Sequence, residues 1–129
     1  MNLCEAFKAL GDDTRLRILA LLSQRELCVC QICYTLGLSQ PNASKHLKCL
    51  KYAGLITCHK ISQWCFYSVS ADFEQRLSGL YGFLTEEWKD HPPFTVDAER
   101  LMQLLRTKAC CGMGLLLSTK ASSDTEALD

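Results

Sequence analysis

The middle of the chain carries a stop, turn and start signal that constrains the fold more than any other feature. An apolar-periodic segment runs from about Val29 or Cys30 to Leu36 and ends at Gly37, a residue suited to the left-handed conformation that closes a helix. Ser39 then offers a good N-cap, with Pro41 acceptable in the first turn of a following helix. Only Gly37 and Leu38 separate the first segment from that cap, which is the spacing of a helix-turn-helix. In the second helix Ala43, Leu47 and Leu50 share one face and are expected in the core, with Asn42, Lys45, Cys49 and Tyr52 on the opposite face.

The flanks fit around this pair. Leu3 to Leu10 reads as a helix stopped by Gly11, and Asp12 or Asp13 can cap a helix through Thr14 to Leu22. After Gly54, the segments Ile56 to Lys60 and Trp64 to Val69 read as two strands around Ile61-Ser62-Gln63, a plausible wing. Phe73, Leu77, Leu80, Tyr81, Leu84 and Trp88 form a long apolar stripe, more than a terminal helix needs for its own packing, and a dimer interface is the simplest sink for it. His91-Pro92-Pro93 breaks the chain, and Val96 to Arg106 forms one more amphipathic helix with Leu101, Leu104 and Leu105 inward. The expected fold is mainly α with a small β-hairpin: a winged helix-turn-helix, homodimeric. Residues 1–90 form the DNA-binding and dimerisation domain, 91–117 a helical extension with a cysteine pair, and 118–129 a polar disordered tail.

Charge distribution says what the middle meets. The chain is neutral overall, yet Leu27 to Ala71 holds Lys45, Lys48, Lys51 and Lys60 and no acidic residue, leaving ten basic against fourteen acidic residues in the flanks. A basic middle between acidic flanks points to a polyanion. A helix-turn-helix sets the start of its second helix in the major groove, where Gln40 and Asn42 are the base-reading candidates and Lys45 and His46 stand beside them. Ser39 and Ser44 add phosphate or backbone contacts, Lys48 reaches phosphate from the helix flank, and Lys60 holds the adjacent backbone from the wing. No apolar run approaches the length of a membrane span, and the N-terminus lacks a secretory pattern, so a cytoplasmic protein with no membrane partner is expected.

The segments Ala9 to Leu19, Glu26-Leu27-Cys28-Val29-Cys30-Gln31-Ile32-Cys33, Leu38 to Leu47 and Ala53-Gly54-Leu55-Ile56 resemble the ArsR/SmtB family of metal-sensing repressors over residues 3 to 90. The resemblance implies a homodimer joined through its first and fifth helices, bound to a palindromic operator in double-stranded DNA and released when metal binds. Cys28, Cys30 and Cys33 occupy the positions that mark the arsenic-responsive branch. The wing turn lacks the glycine and arginine common in the family, so wing contacts are expected from Lys60 alone. The region after Trp88 lies outside the resemblance.

Nine cysteines in a reducing compartment argue for metal binding or redox chemistry over a disulfide scaffold. Trivalent arsenic, As(III), or antimony, Sb(III), is soft and takes a pyramid of three sulfurs, so thiolates suit it; it is the expected inducer, with no organic cofactor. Ideal helical geometry sets Cys30 and Cys33 about 60° apart and Cys28 nearly opposite Cys30. The three converge only if the helix begins after Cys28 or its first turn unwinds. Closing a three-sulfur site would then strain this helix, shift the next, and favour a dimer that no longer fits both half-sites. The positive helix N-terminus should help ionise the thiols.

Other readings stay open. Cys4 keeps a cadmium or lead sensor, Cd(II) or Pb(II), in play, since such relatives add N-terminal cysteines. The vicinal Cys110-Cys111 pair falls one thiol short of a trigonal site. A thiol redox-sensing regulator would oxidise Cys28/Cys30 or Cys110/Cys111 instead. Cys49, Cys58 and Cys65 read as isolated, small buried residues. No nucleophile has an evident base and orienting partner, so no enzyme is expected. No histidine lies between Ala71 and Lys89, which disfavours a zinc site across paired fifth helices.

Overall fold

A computed structural model describes residues 1–107 of the 129. Their order is α1 (Leu3–Leu10), α2 (Asp13–Gln24), β1 (Leu27–Cys28), α3 (Val29–Leu36), α4 (Gln40–Tyr52), β2 (Ile56–Ile61), β3 (Trp64–Val69), α5 (Ala71–Arg76), α6 (Ser78–Asp90) and α7 (Phe94–Thr107). Side-chain caps set the starts: Asn2 accepts from the Glu5 N–H, Asp12 from Arg15, Ser39 from Asn42 and Ser70 from Phe73. Gly37 lies at φ 69°, and the Leu38 N–H turns back to the Cys33 carbonyl at 3.0 Å, so the turn closes on the backbone of α3 itself. The helix-turn-helix is formed as its spacing requires.

α2 is the central element. Ile18, Leu19, Ala20, Leu21 and Leu22 are all buried in succession, which a helix does only when it is packed on most sides. The stripe Ala43, Leu47 and Leu50 of α4 is fully buried, as its periodicity predicts. The wing is a hairpin in which Ile61 pairs with Trp64 across a two-residue turn, and Ser62 takes φ 60°, the left-handed region that a glycine would occupy without strain. The sequence reading expects two strands, but the sheet has three, ordered β1-β3-β2, because Leu27 and Cys28 pair antiparallel with Tyr67 and Phe66.

The apolar stripe beyond the wing departs from expectation. It is not one helix: the backbone breaks at Leu77 (φ −109°, ψ 39°) between α5 and α6. Nor does it all await a partner. Phe73 is buried in the core of its own chain, edge-on to Tyr81 at 5.0 Å, and Trp88 is buried beside Phe94 at 6.2 Å. Trp88 is covered because α7 folds back across α6, α2 and α3, burying Leu101 and Leu104 with Leu105 partly covered. Leu3 and Phe7 on α1 and Phe83 on α6 remain more than half exposed.

A buried ion pair fixes α7. Asp97 is 1% exposed and accepts from Arg17 Nε and Nη2, both at 2.8 Å, in a bidentate fork. Arg17→Ala strands that carboxylate, and urea denaturation should show a loss of about 3 kcal/mol. The double replacement Arg17→Met/Asp97→Leu removes both charges and should recover most of it. A single-variant loss below about 1 kcal/mol would mean that water reaches Asp97 and the fork contributes little.

Candidate nucleic-acid interface and thiol cluster

α4 presents a polar, basic surface. Ser39, Gln40, Ser44, Lys45 and Lys48 are exposed, and Asn42 is half-buried near the start of the helix. Lys60 is exposed on β2, and Lys51 continues the basic side into the last turn of α4. These groups offer amide, hydroxyl and ammonium donors on adjoining elements, a combination suited to base edges and phosphates.

His46 differs from the expectation that placed it among them. It is 7% exposed and faces inward. Its Nδ1 lies 3.4 Å from Arg15 Nη1 and 3.9 Å from Asp12 Oδ2. Arginine can only donate, so Nδ1 is the acceptor in its hydrogen bond with Arg15. Arg15 also donates to the carbonyls of Ala9 (2.7 Å) and Lys8 (3.3 Å) at the end of α1, and Asp12 accepts from the Arg15 backbone N–H at 3.0 Å. One cluster thus ties the end of α1, the cap of α2 and the middle of α4. Burial pushes the His46 pKa down, with Arg15 and Lys45 adding to the effect against Asp12. The Asp12 carboxyl lies below its ordinary value, chiefly through the Arg15 N–H. The sequence does hold the signal: His46 lies three residues after Ala43 and beside Leu47, on the apolar stripe and not across from it.

The thiols sit at the other end of the helix pair. Cys28 is the N-cap of α3, so the helix begins after it, the first of the two ways in which the three sulfurs could be reconciled. Its backbone N–H donates to Gln31 Oε1 at 3.1 Å. The side chain is 2% exposed and forms a small satellite core with Phe66, against which Cys30, Ile61 and Trp64 pack. Cys33 is half-buried a turn later, and burial pushes its thiol above the ordinary value. Burial thus works against the ionisation of Cys33 expected from the helix N-terminus. Among the described residues no three His, Cys, Asp or Glu side chains are gathered as a metal-binding set, and no disulfide is formed. Cys4 is exposed on α1. Cys110 and Cys111 lie outside the described residues.

Residues 12–57, which span this cluster, both helices and the start of the wing, match the family described as bacterial regulatory protein, arsR family. The arsenic resistance transcriptional regulator ArsR1 of Pseudomonas putida is 34% identical over 102 residues, 76% of each chain. The chain belongs to the ArsR family of regulatory proteins. Another relative carries cadmium in its name: the cadmium resistance transcriptional regulatory protein CadC homolog of Staphylococcus aureus is 37% identical over 78 residues, 60% of this chain and 64% of that one. Among solved structures, a homodimeric winged helix-turn-helix DNA-binding domain from Mycobacterium bovis, titled a possible ArsR-family regulator, superposes with a TM-score of 0.58 at 30% identity. That match covers 70% of this chain and 84% of the other. This chain is accordingly a transcriptional regulator with a winged helix-turn-helix fold.

The His46 cluster gives this ArsR protein a pH signature. Folding lowers the His46 pKa from the ordinary 6.5, so between the two values the unfolded chain binds more protons than the folded one. Stability from this group is complete above the unfolded value and is lost as pH falls through the folded one. His46→Gln should flatten the fall in urea midpoint between about pH 7.5 and about pH 5.5. An identical fall in both proteins would place the acid-sensitive group elsewhere.

Proposed function

We propose that this chain is a cytoplasmic repressor that binds operator DNA as a homodimer and leaves it when trivalent arsenic or antimony is taken up by Cys28, Cys30 and Cys33. The observation that carries the reading is the position of Cys28 and Cys30: both pack on the wing hairpin, through Phe66, Ile61 and Trp64, while Cys33 holds the turn of the helix-turn-helix by its carbonyl. Three thiols are the right donors for a soft, pyramidal ion, but they are not gathered in this conformation. To complete such a site the chain must draw Cys28 out from beside Phe66, and the wing loses packing as a consequence. A difference of a few kcal/mol between bound and unbound geometries suffices for release.

For the DNA side, Ser39, Gln40, Asn42, Ser44, Lys45, Lys48 and Lys60 are the proposed contacts, with His46 reassigned to positioning α4 through Arg15 and Asp12. The exposed Leu3, Phe7 and Phe83 support a dimer built on α1 and α6. In an operator titration by fluorescence anisotropy, Lys45→Gln should lower the salt dependence of binding by about one counterion per protomer and weaken all sequences alike. Asn42→Ala should instead narrow the gap between operator and random DNA. If Lys45→Gln leaves the salt slope unchanged, that side chain does not meet phosphate.

The inducer is tested with the same assay at fixed salt. Arsenite or antimonite should release the wild type and spare the Cys28→Ser/Cys30→Ser/Cys33→Ser variant. Release of the wild type by cadmium or lead alone, dependent on Cys4, would replace the metalloid with a divalent ion. Release of the triple variant by arsenite would move the site to other thiols, such as Cys110 and Cys111.

A further inference from the structure

The strand register brings together two cysteines that the proposed inducer site does not use. Cys58 pairs with Tyr67 and Lys60 with Cys65, so Cys58 and Cys65 are diagonal neighbours on one face of the wing. Both are partly exposed. Their surroundings differ: Tyr67 lies against Cys65, while Cys65 and the Lys51 ammonium act on Cys58. Lys51 comes from the last turn of α4, so the pair sits where the helix proposed to read DNA meets the wing.

From this arrangement we infer that Cys58 and Cys65 form a peroxide-oxidisable dithiol, with Cys58 the attacking sulfur and Cys65 the resolving one. The two thiols are not equivalent. Burial raises Cys58, but the neighbouring Cys65 and the positive charges of Lys51 and Lys60 outweigh it and bring Cys58 below its ordinary value. Burial and the neighbouring Cys58 push Cys65 up, despite the Tyr67 hydroxyl. A thiolate-prone, accessible sulfur beside a second thiol is the pattern of a redox-sensitive cysteine.

The chemistry balances with a hydroperoxide as oxidant. The Cys58 thiolate attacks the peroxide, forming an S–O bond as the O–O bond breaks, and the departing hydroxide takes up a proton as water. Cys65 then attacks the sulfenic sulfur: the S–S bond forms, the S–O bond breaks, and hydroxide leaves with the Cys65 proton as a second water. Two thiols are oxidised and one peroxide is reduced. The Lys51 ammonium holds the thiolate before attack, and loses that partner once the disulfide forms.

Lys60 separates the two cysteines, so trypsin places them in different peptides, 52–60 and 61–76, each with a single cysteine. The full chain, reduced and then treated with about one equivalent of hydrogen peroxide, should yield these two peptides as a linked ion that is lost on reduction. The link should form within one chain, which a non-reducing denaturing gel shows as monomer. In Cys65→Ser, dimedone should label Cys58 in preference to Cys49, a partly exposed thiol on α4. The inference is overturned if the other cysteines oxidise and no linked ion appears, if peptide 52–60 links only to itself, or if Cys58 is labelled no more than Cys49. The wild-type mapping stands even if the serine variant does not fold, and it needs neither DNA nor a metalloid.

Discussion

α4 has one narrow stripe to bury, and everything presented to solvent depends on how that stripe is held. Ala43, Leu47 and Leu50 supply the apolar contact with the core, but smooth apolar contacts alone leave a helix free to slide and roll by small steps. His46 lies on the same stripe and meets Arg15, which is itself tied to the carbonyls ending α1 and lies beside the cap of α2. Hydrogen bonds are directional where dispersion is not, so this cluster sets the pitch of α4 against α1 and α2. The exposed row of Gln40, Ser44, Lys45 and Lys48 is therefore aimed from the inside.

The opposite end of α3 and α4 is held differently. There Cys28 and Phe66 form a small satellite core, against which Cys30, Ile61 and Trp64 pack. That core is small, so moving one side chain removes a large share of it. The wing is anchored on the same few residues, with β1 supplying its third strand through the Cys28–Phe66 pairing. The two ends thus differ: directional hydrogen bonds to Arg15 hold α4 at His46, and a few apolar side chains join the start of α3 to the hairpin.

Much of this was legible in the residues. Gly37 and Ser39 announced the turn because each meets a steric or capping requirement that few residues satisfy, and the buried stripe of α4 followed from its spacing. What escaped the sequence is non-local. β1 is two residues long and exists only because β3 passes beside it, so Leu27 and Cys28 carry no strand pattern of their own. Trp88 reads as available for a partner because the return of α7, tied to α2 by Arg17 and Asp97, is invisible in either helix alone, and Phe73 is covered within the core against Tyr81 of α6. His46 shows how residue type misleads: a polar side chain on the second helix suggests a DNA contact, although its spacing puts it on the core face.

Cys58 and Cys65 show the same limit from the other side. Seven residues apart in sequence, they read as isolated, and only the hairpin register makes them neighbours. That register also divides the thiols of the wing region between two environments. β3 turns Phe66 and Trp64 toward Cys28 and Cys30, and turns Tyr67 and Cys65 toward Cys58 and Lys51, because successive residues of a strand face opposite ways. On the first face Cys28 is buried beside Phe66, which shields it from solvent. On the second the thiols are partly open and beside lysines, which favours attack by a thiolate. The sheet thus keeps the two groups of thiols in separate environments, and the separation follows from the alternation of side chains along β3.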